Sequence, residues 1–176
     1  ELIDESSKWN SAKNHSAYAV SKFESEMIVW TAIQEGLNAV IVNPSVIIGT
    51  GFWNTGSGSL FKRAAKGVKY YTSGSTGFVD VRDVTRTMIE LMESDIAEER
   101  FILNSENVSY KNLFEMVAEA MKVTEPKKQA TKEMLKFISV LELLISSLGI
   151  KRRELTSDVI RASFSKSNYS KQKIEK

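Results

Sequence analysis

The sequence predicts an α/β fold built on an incomplete, doubly wound parallel sheet. Three observations predict it. The patterned segments run helix, buried strand, helix, strand, helix. The run "NAVIVNPSVIIG" (38–49) is rich in β-branched residues without alternation, as in a strand covered on both faces. Only that run and "RFILN" (100–104) read as core strands, fewer than a doubly wound sheet usually holds.

The elements follow in order. Residues 16–35 read as a helix, with Ser16 as its cap and Gly36 as a left-handed stop. Val20, Phe23, Met27 and Trp30 form one apolar stripe, widened by Ile28, Val29, Ala32 and Ile33. A helix this apolar is expected to be buried on two sides or to meet a partner subunit. After the strand at 38–49, a glycine-rich loop (49–58) leads to a short helix near 59–67. "VKYY" and "GFVDV" read as short strands around the turn "TSGSTG". A helix near 82–93 is expected to turn Val84, Met88 and Leu91 inward, and the strand at 100–104 follows. Ser109 caps a helix at 110–122 whose buried face is Leu113, Val117 and Met121. Pro126 and its lysines read as a linker. Thr131 opens a long helix to 148, with Met134, Ile138, Leu141, Ile145 and Leu148 on one stripe and Gly149 at its end. A last short helix starts at Thr156.

Composition bounds the function. The chain has 176 residues, 42% apolar, enough for one domain with a substantial core. Its charges nearly cancel, leaving +2, so no nucleic-acid partner is expected. The absence of cysteine excludes a disulfide framework and thiolate metal sites, and points to a reducing, cytoplasmic location. One histidine cannot build a His-rich metal cluster, so no metal is expected. The longest apolar stretch, 134–149, is interrupted by Lys136 and Glu142 and is too short to span a bilayer, so no membrane partner is expected either. The first residue is Glu1 rather than Met, and the expectation is a piece of a longer protein.

"AYAVSKFESEMIVW" (17–30) carries the chemistry. Tyr18 and Lys22 are four apart, so on a helix they share one face. A free phenol titrates near pH 10, and a nearby ammonium favours the phenolate. Such a tyrosine can protonate a carbonyl oxygen as hydride arrives, or deprotonate an alcohol as hydride leaves. The spacing alone does not single the pair out. Tyr169 and Lys173 repeat it in a polar tail, and the bland reading is a partly buried tyrosine beside a solvated lysine. Context separates the two pairs. Tyr18 opens a buried helix, and the strand that follows ends in "NPSVIIGTG", at the carboxyl end where ligands of open α/β sheets bind.

"YAVSK", "GLNAVIVNPSVIIGTG", "GFVDVRDVTRTMIELME" and "ERFILNSENVSYKNLFEMVAEAM", in that order, resemble the extended short-chain dehydrogenase/reductase family. The flavour is that of its NAD-dependent epimerase/dehydratase and dihydroflavonol-reductase-like branch, and the resemblance covers nearly the whole chain. It implies the C-terminal half of a Rossmann-like sheet with a mostly helical substrate-binding subdomain. Residues 1–104 would be the C-terminal part of the NAD(P)-binding domain with interleaved substrate loops. Residues 105–176 would be the mostly helical region. Tyr18 would be the general acid/base, and Lys22 would hold the nicotinamide ribose. Pro44, Ser45, Val46 and Ile47 would lie against the nicotinamide, partly through backbone groups. The stretch after them and the helix at 131–148 would border the substrate pocket. Asp80, Arg82 and Asp83 would be a structural turn and helix start.

The departures bear on the cofactor. No GxxGxxG loop precedes Tyr18, and the glycines at 49, 51, 56 and 58 follow the wrong strand. The family's catalytic serine or threonine also lies upstream; Ser6, Ser7, Ser11 and Ser16 match it by type only. The parent protein is therefore expected to use NAD or NADP on a small carbonyl or alcohol, and this chain alone is expected to bind neither tightly. Two alternatives stay open. One is a nucleotide-sugar epimerase or dehydratase using the same tyrosine. The other is a non-catalytic module that dimerises through the 16–35 helix, the surface also expected to form a homodimer in an active parent.

Overall fold

The computed structural model describes residues 2–12, 15–51, 53–54, 56–147, 149 and 154–176. After a two-residue strand β1 (Leu2–Ile3), helix α1 (Ala17–Gln34) begins where its cap dictates: the Ser16 hydroxyl accepts the Ala19 N–H at 3.2 Å. Gly36, at φ +102°, turns the chain back. The run expected to be one strand is two, β2 (Val40–Pro44) and β3 (Val46–Ile48). The split falls at Ser45. Pro44 has no N–H to continue a ladder, and here the chain leaves one sheet for another. Helix α2 (Gly56–Ala64) starts a few residues earlier than its apolar pattern suggests. Then come β4 (Tyr70–Tyr71), β5 (Ser75–Asp80), α3 (Val81–Met92), β6 (Glu99–Leu103), β7 (Glu106–Ser109) and α4 (Tyr110–Met121). The order closes with β8 (Lys128–Gln129), α5 (Lys132–Ser147), α6 (Ser157–Phe164) and β9 (Asn168–Tyr169).

The sheets are mainly parallel. β2 pairs with β6 and β3 with β5, both parallel, while β7 returns antiparallel along β5. β7 is not legible in the sequence because "ENVS" has one apolar residue, as suits a strand with one buried face. Within the expected linker, β8 lies parallel to β4.

Side-chain alternation builds two cores back to back on β5. Val79 faces Val84 and Leu91 of α3 and Phe101 and Leu103 of β6, with Val40 and Val42 packed beside them. Its neighbour Phe78 points the other way, to Val108, Leu113, Leu60 and Phe61. Each buried aliphatic or aromatic side chain contributes roughly 1.5–3 kcal/mol. Gly77 makes the crossing possible. A Cβ there would overlap Asn104 Oδ1 and lie 2.8 Å from the Tyr169 ring and 2.9 Å from Ser45 Cβ.

The outer edge of β6 is sealed by side chains from both ends of the chain. The Ile102 N–H donates to the Glu5 carboxylate at 2.8 Å, and the Lys173 ammonium donates to the Arg100 carbonyl at 2.8 Å. The other edge of the pair, on β2, has no strand partner among the described residues.

Three expectations about burial change. Met88 and Met121 are exposed, although Val84, Leu91 and Leu113 beside them are buried. On α1, Ile33 is buried, but Met27 is 46% and Ile28 71% exposed. On α5, Leu141 and Ile145 face outward, and Leu148 lies outside the described residues. Among the described residues no helix is long and apolar enough to cross a membrane.

Candidate active site

Tyr18 and Lys22 stand one turn apart on α1, with the Lys22 ammonium 5.7 Å from the centre of the Tyr18 ring. The phenol is 72% exposed, so an incoming ring has free access to it. Among the described residues no carboxylate pairs with Lys22.

What positions this helix is a carboxylate that sequence reasoning missed. Glu26, one further turn along, accepts hydrogen bonds from Trp30 Nε1 at 3.2 Å, Asn43 Nδ2 at 3.1 Å and Arg100 Nη1 at 2.9 Å. Burial pushes the Glu26 carboxyl up, but the bonds from Trp30, Arg100 and Asn43 outweigh it and hold the group below its usual range. Asn43 and Arg100 therefore present α1 to one face of the β2–β6 pair, while α3 covers the other. The available signal was the repeat of four, Tyr18–Lys22–Glu26.

The tie also sets where Tyr18 lies. Only residues 35–39 separate α1 from β2, so the two run in opposite senses. Glu26 is level with Asn43. Tyr18 is eight residues nearer the helix start, about 12 Å along the axis, and so projects past the carboxyl end of β2. The aromatic ring of Trp9 stacks on Phe23 at 4.4 Å and on His15 at 3.8 Å, holding the entering chain against the same end of the helix.

Pro44 and Ser45 sit at the sheet change. The Ser45 N–H bonds the Leu103 carbonyl at 2.9 Å, but its buried hydroxyl has no partner, and neither does the nearby buried Asn104 Oδ1. The Asn104 amide instead donates to the Tyr169 carbonyl at 3.2 Å, and Asn107 clasps the same residue from both sides. Val46 packs into the core, and Ile47 is 39% exposed. Tyr18, Lys22, Pro44 and Ser45 thus gather at one end of α1 and β2, with Ile47 on the surface beyond them.

Of the serines that match the catalytic type, Ser16 is occupied as the cap of α1, and Ser6 and Ser7 turn their hydroxyls to Asp4. Asp80 caps α3 through the Arg82 N–H at 2.8 Å and grips the Arg82 guanidinium at 2.9 and 2.7 Å. That grip holds its carboxyl down at about 2.

Two clefts adjoin these elements. One of about 530 Å³ opens beside the start of α1, lined by His15, Ser16, Ser75, Tyr110, Arg161 and Tyr169. Gly49, Thr50 and Trp53 line a different cleft of about 330 Å³, with Phe61, Asp80 and Arg82. Neither is lined by α5, so that helix does not border either one.

The residues fit one end of a nicotinamide dinucleotide and not the other. An exposed phenol and ammonium project past the carboxyl end of a parallel pair whose other edge is open, the end where ligands of such sheets bind. The pyrophosphate needs a glycine-rich turn at a helix N-terminus after the first strand, and this sequence has none before Tyr18.

Comparison with known proteins identifies the family and the fold. Residues 1–121 match the NAD-binding family described as "Male sterility protein". Tetraketide alpha-pyrone reductase 1 of Arabidopsis thaliana is 32% identical over 101 residues, 54% of this chain and 31% of its own length. Cinnamoyl-CoA reductase 1 of the same plant is 30% identical over 90 residues, 49% of this chain and 26% of its own. The chain thus spans about a third or less of these curated relatives. Among solved structures, gox2253 superposes with a TM-score of 0.76 at 26% identity, over 99% of this chain and 54% of that one. The UDP-glucose 4-epimerase of Thermus thermophilus, solved with NAD, shares the fold at a TM-score of 0.64 and 17% identity, over 99% of this chain and 52% of that one. A tyrosine–lysine face past the end of a parallel strand, on a chain whose first 121 residues match an NAD-binding family, makes this protein a member of the extended short-chain dehydrogenase/reductase family.

Proposed function

We propose that this chain carries the proton-transfer face of an NAD(P)-dependent reductase acting on a small carbonyl compound, or on the matching alcohol in reverse. The observation that carries the reading is the Tyr18–Lys22 face: exposed, with ammonium and ring 5.7 Å apart, beyond the carboxyl end of β2. When bound, the dinucleotide supplies or accepts the hydride. The Tyr18 hydroxyl gives its proton to the substrate oxygen in reduction and takes it back in oxidation. The Lys22 ammonium stabilises the phenolate left behind and holds the ribose hydroxyls. Pro44, Ser45, Val46 and Ile47 bed the nicotinamide, partly through backbone groups. The substrate enters by the cleft at His15 and Ser16.

The two curated relatives are reductases, which favours carbonyl reduction over sugar epimerisation. The likeness to the Thermus epimerase is one of fold. The phosphate cradle must come from residues other than these, so the 176 residues alone bind dinucleotide weakly. A second copy of the protein packs on the 16–35 helix, where Met27 and Ile28 stay exposed. The test is turnover by the full-length protein. NADH or NADPH consumption with aryl and alkyl aldehydes and ketones supports the reading. Turnover of nucleotide sugars alone, or of nothing, contradicts it.

A further inference from the structure

Helix α5 is apolar on both its sides. Its inward side holds half-buried Met134, Leu135 and Ile138 together with two polar groups. Ser139 is 4% exposed and donates to the Leu155 carbonyl, and the Glu142 carboxylate accepts the N–H groups of Glu154 and Leu155 at 3.0 and 2.8 Å. Its outward side is apolar. Phe137 is 66%, Val140 57%, Leu141 44% and Leu144 57% exposed, at the i, i+3, i+4, i+7 spacing of a single face. Leu143 and Ile145 flank that face and are 50% and 41% exposed. A helix facing water normally carries polar residues on its outward side, so something other than water is expected to cover this one.

Charge says what. Residues 127–147 hold four lysines (127, 128, 132 and 136), all exposed, against two glutamates. Glu142 is turned inward, which leaves Glu133, at the start of the helix, as the acid on the outward side. Lys132 and Lys136, one turn apart, border the apolar face. Sixteen residues make about 24 Å of helix, too short for a hydrocarbon core of about 30 Å but suited to lying in its surface. A second copy fits less well. One helix face falls short of the roughly 800 Å² per partner of a stable interface, and a two-fold contact would bring like-charged lysines together.

We propose that the outward face of α5 docks on an anionic phospholipid surface, with Phe137, Val140, Leu141 and Leu144 set into the headgroup boundary and Lys132 and Lys136 on the phosphates. This runs against the expectation of no membrane partner, and it does not depend on the enzymatic reading. The test is flotation of the full-length protein with vesicles of phosphatidylcholine alone or with one-third phosphatidylserine. The expected result is at least tenfold enrichment on the anionic vesicles, reduced by added salt. Phe137→Glu with Leu144→Glu should abolish it with helix content unchanged by circular dichroism. If that pair fails to fold, Lys132→Glu with Lys136→Glu decides, and should lower anionic binding at least fivefold. No enrichment, enrichment that either folded variant retains, or a dimer dispersed by the Phe137/Leu144 variant would overturn the proposal; the last would assign the face to a second copy.

Discussion

Glu26 does at residue scale what no motif records. It spends three hydrogen bonds on fixing α1 to the two strands, and its pair with Arg100 is largely shielded, with side chains 18% and 28% exposed. Glu26→Ala leaves the Arg100 guanidinium without its carboxylate, and we expect a loss of ~3 kcal/mol, measured by urea unfolding. Gly77→Ala should cost about 1–3 kcal/mol in the same assay, because Asn104, Tyr169 and Ser45 would all have to give way. Acid should act on the same carboxylates. Glu26 and Asp80 have folded pKa values below their usual ones, Asp80 at about 2. Their contribution is complete above the ordinary carboxylate range and is lost as pH falls from about 4 toward about 2. Stability measured across that window should fall, and Asp80→Asn should flatten part of the fall. Of these residues, Tyr18 and Lys22 are legible from spacing and context. Glu26 is not, because a lone glutamate on a helix reads as solvated until the strand residues that meet it are placed.

At the scale of elements, caps are the most legible signals. Ser16, Ser109 and Thr156 each begin the helix they are expected to begin, because a side-chain oxygen satisfying a free N–H is a local event. Strands are less legible for the opposite reason. "NAVIVNPSVIIG" is uniformly apolar because its two halves are covered by different partners, β6 and β5, and nothing local marks the change except Pro44. The apolar stripe on α5 is legible as periodicity, but it divides: Met134 and Ile138 are half-buried, while Leu141 and Ile145 face outward. Periodicity says that a helix has two faces, not which one meets the protein. Ser139 and Glu142, bonded to the 154–155 backbone, decide that here.

At the scale of the whole molecule, an α/β order with a parallel pair, covered by α1 on one face and α3 on the other, agrees with the sequence. The open edge of β2 lies beside the candidate site. On the proposed reading, in which this chain beds only the nicotinamide end, calorimetry on the 176 residues should show no saturable NADP(H) binding; tight binding would mean that a phosphate cradle exists where none is recognised. The central claim is that the Tyr18 hydroxyl moves the proton, and one comparison tests it most directly: kcat for carbonyl reduction by the full-length protein and by its Tyr18→Phe variant, with dinucleotide binding checked in both. The account predicts a fall of about 10²–10⁴ in kcat with the cofactor still bound. A variant that keeps its cofactor and turns over within threefold of the original would contradict it.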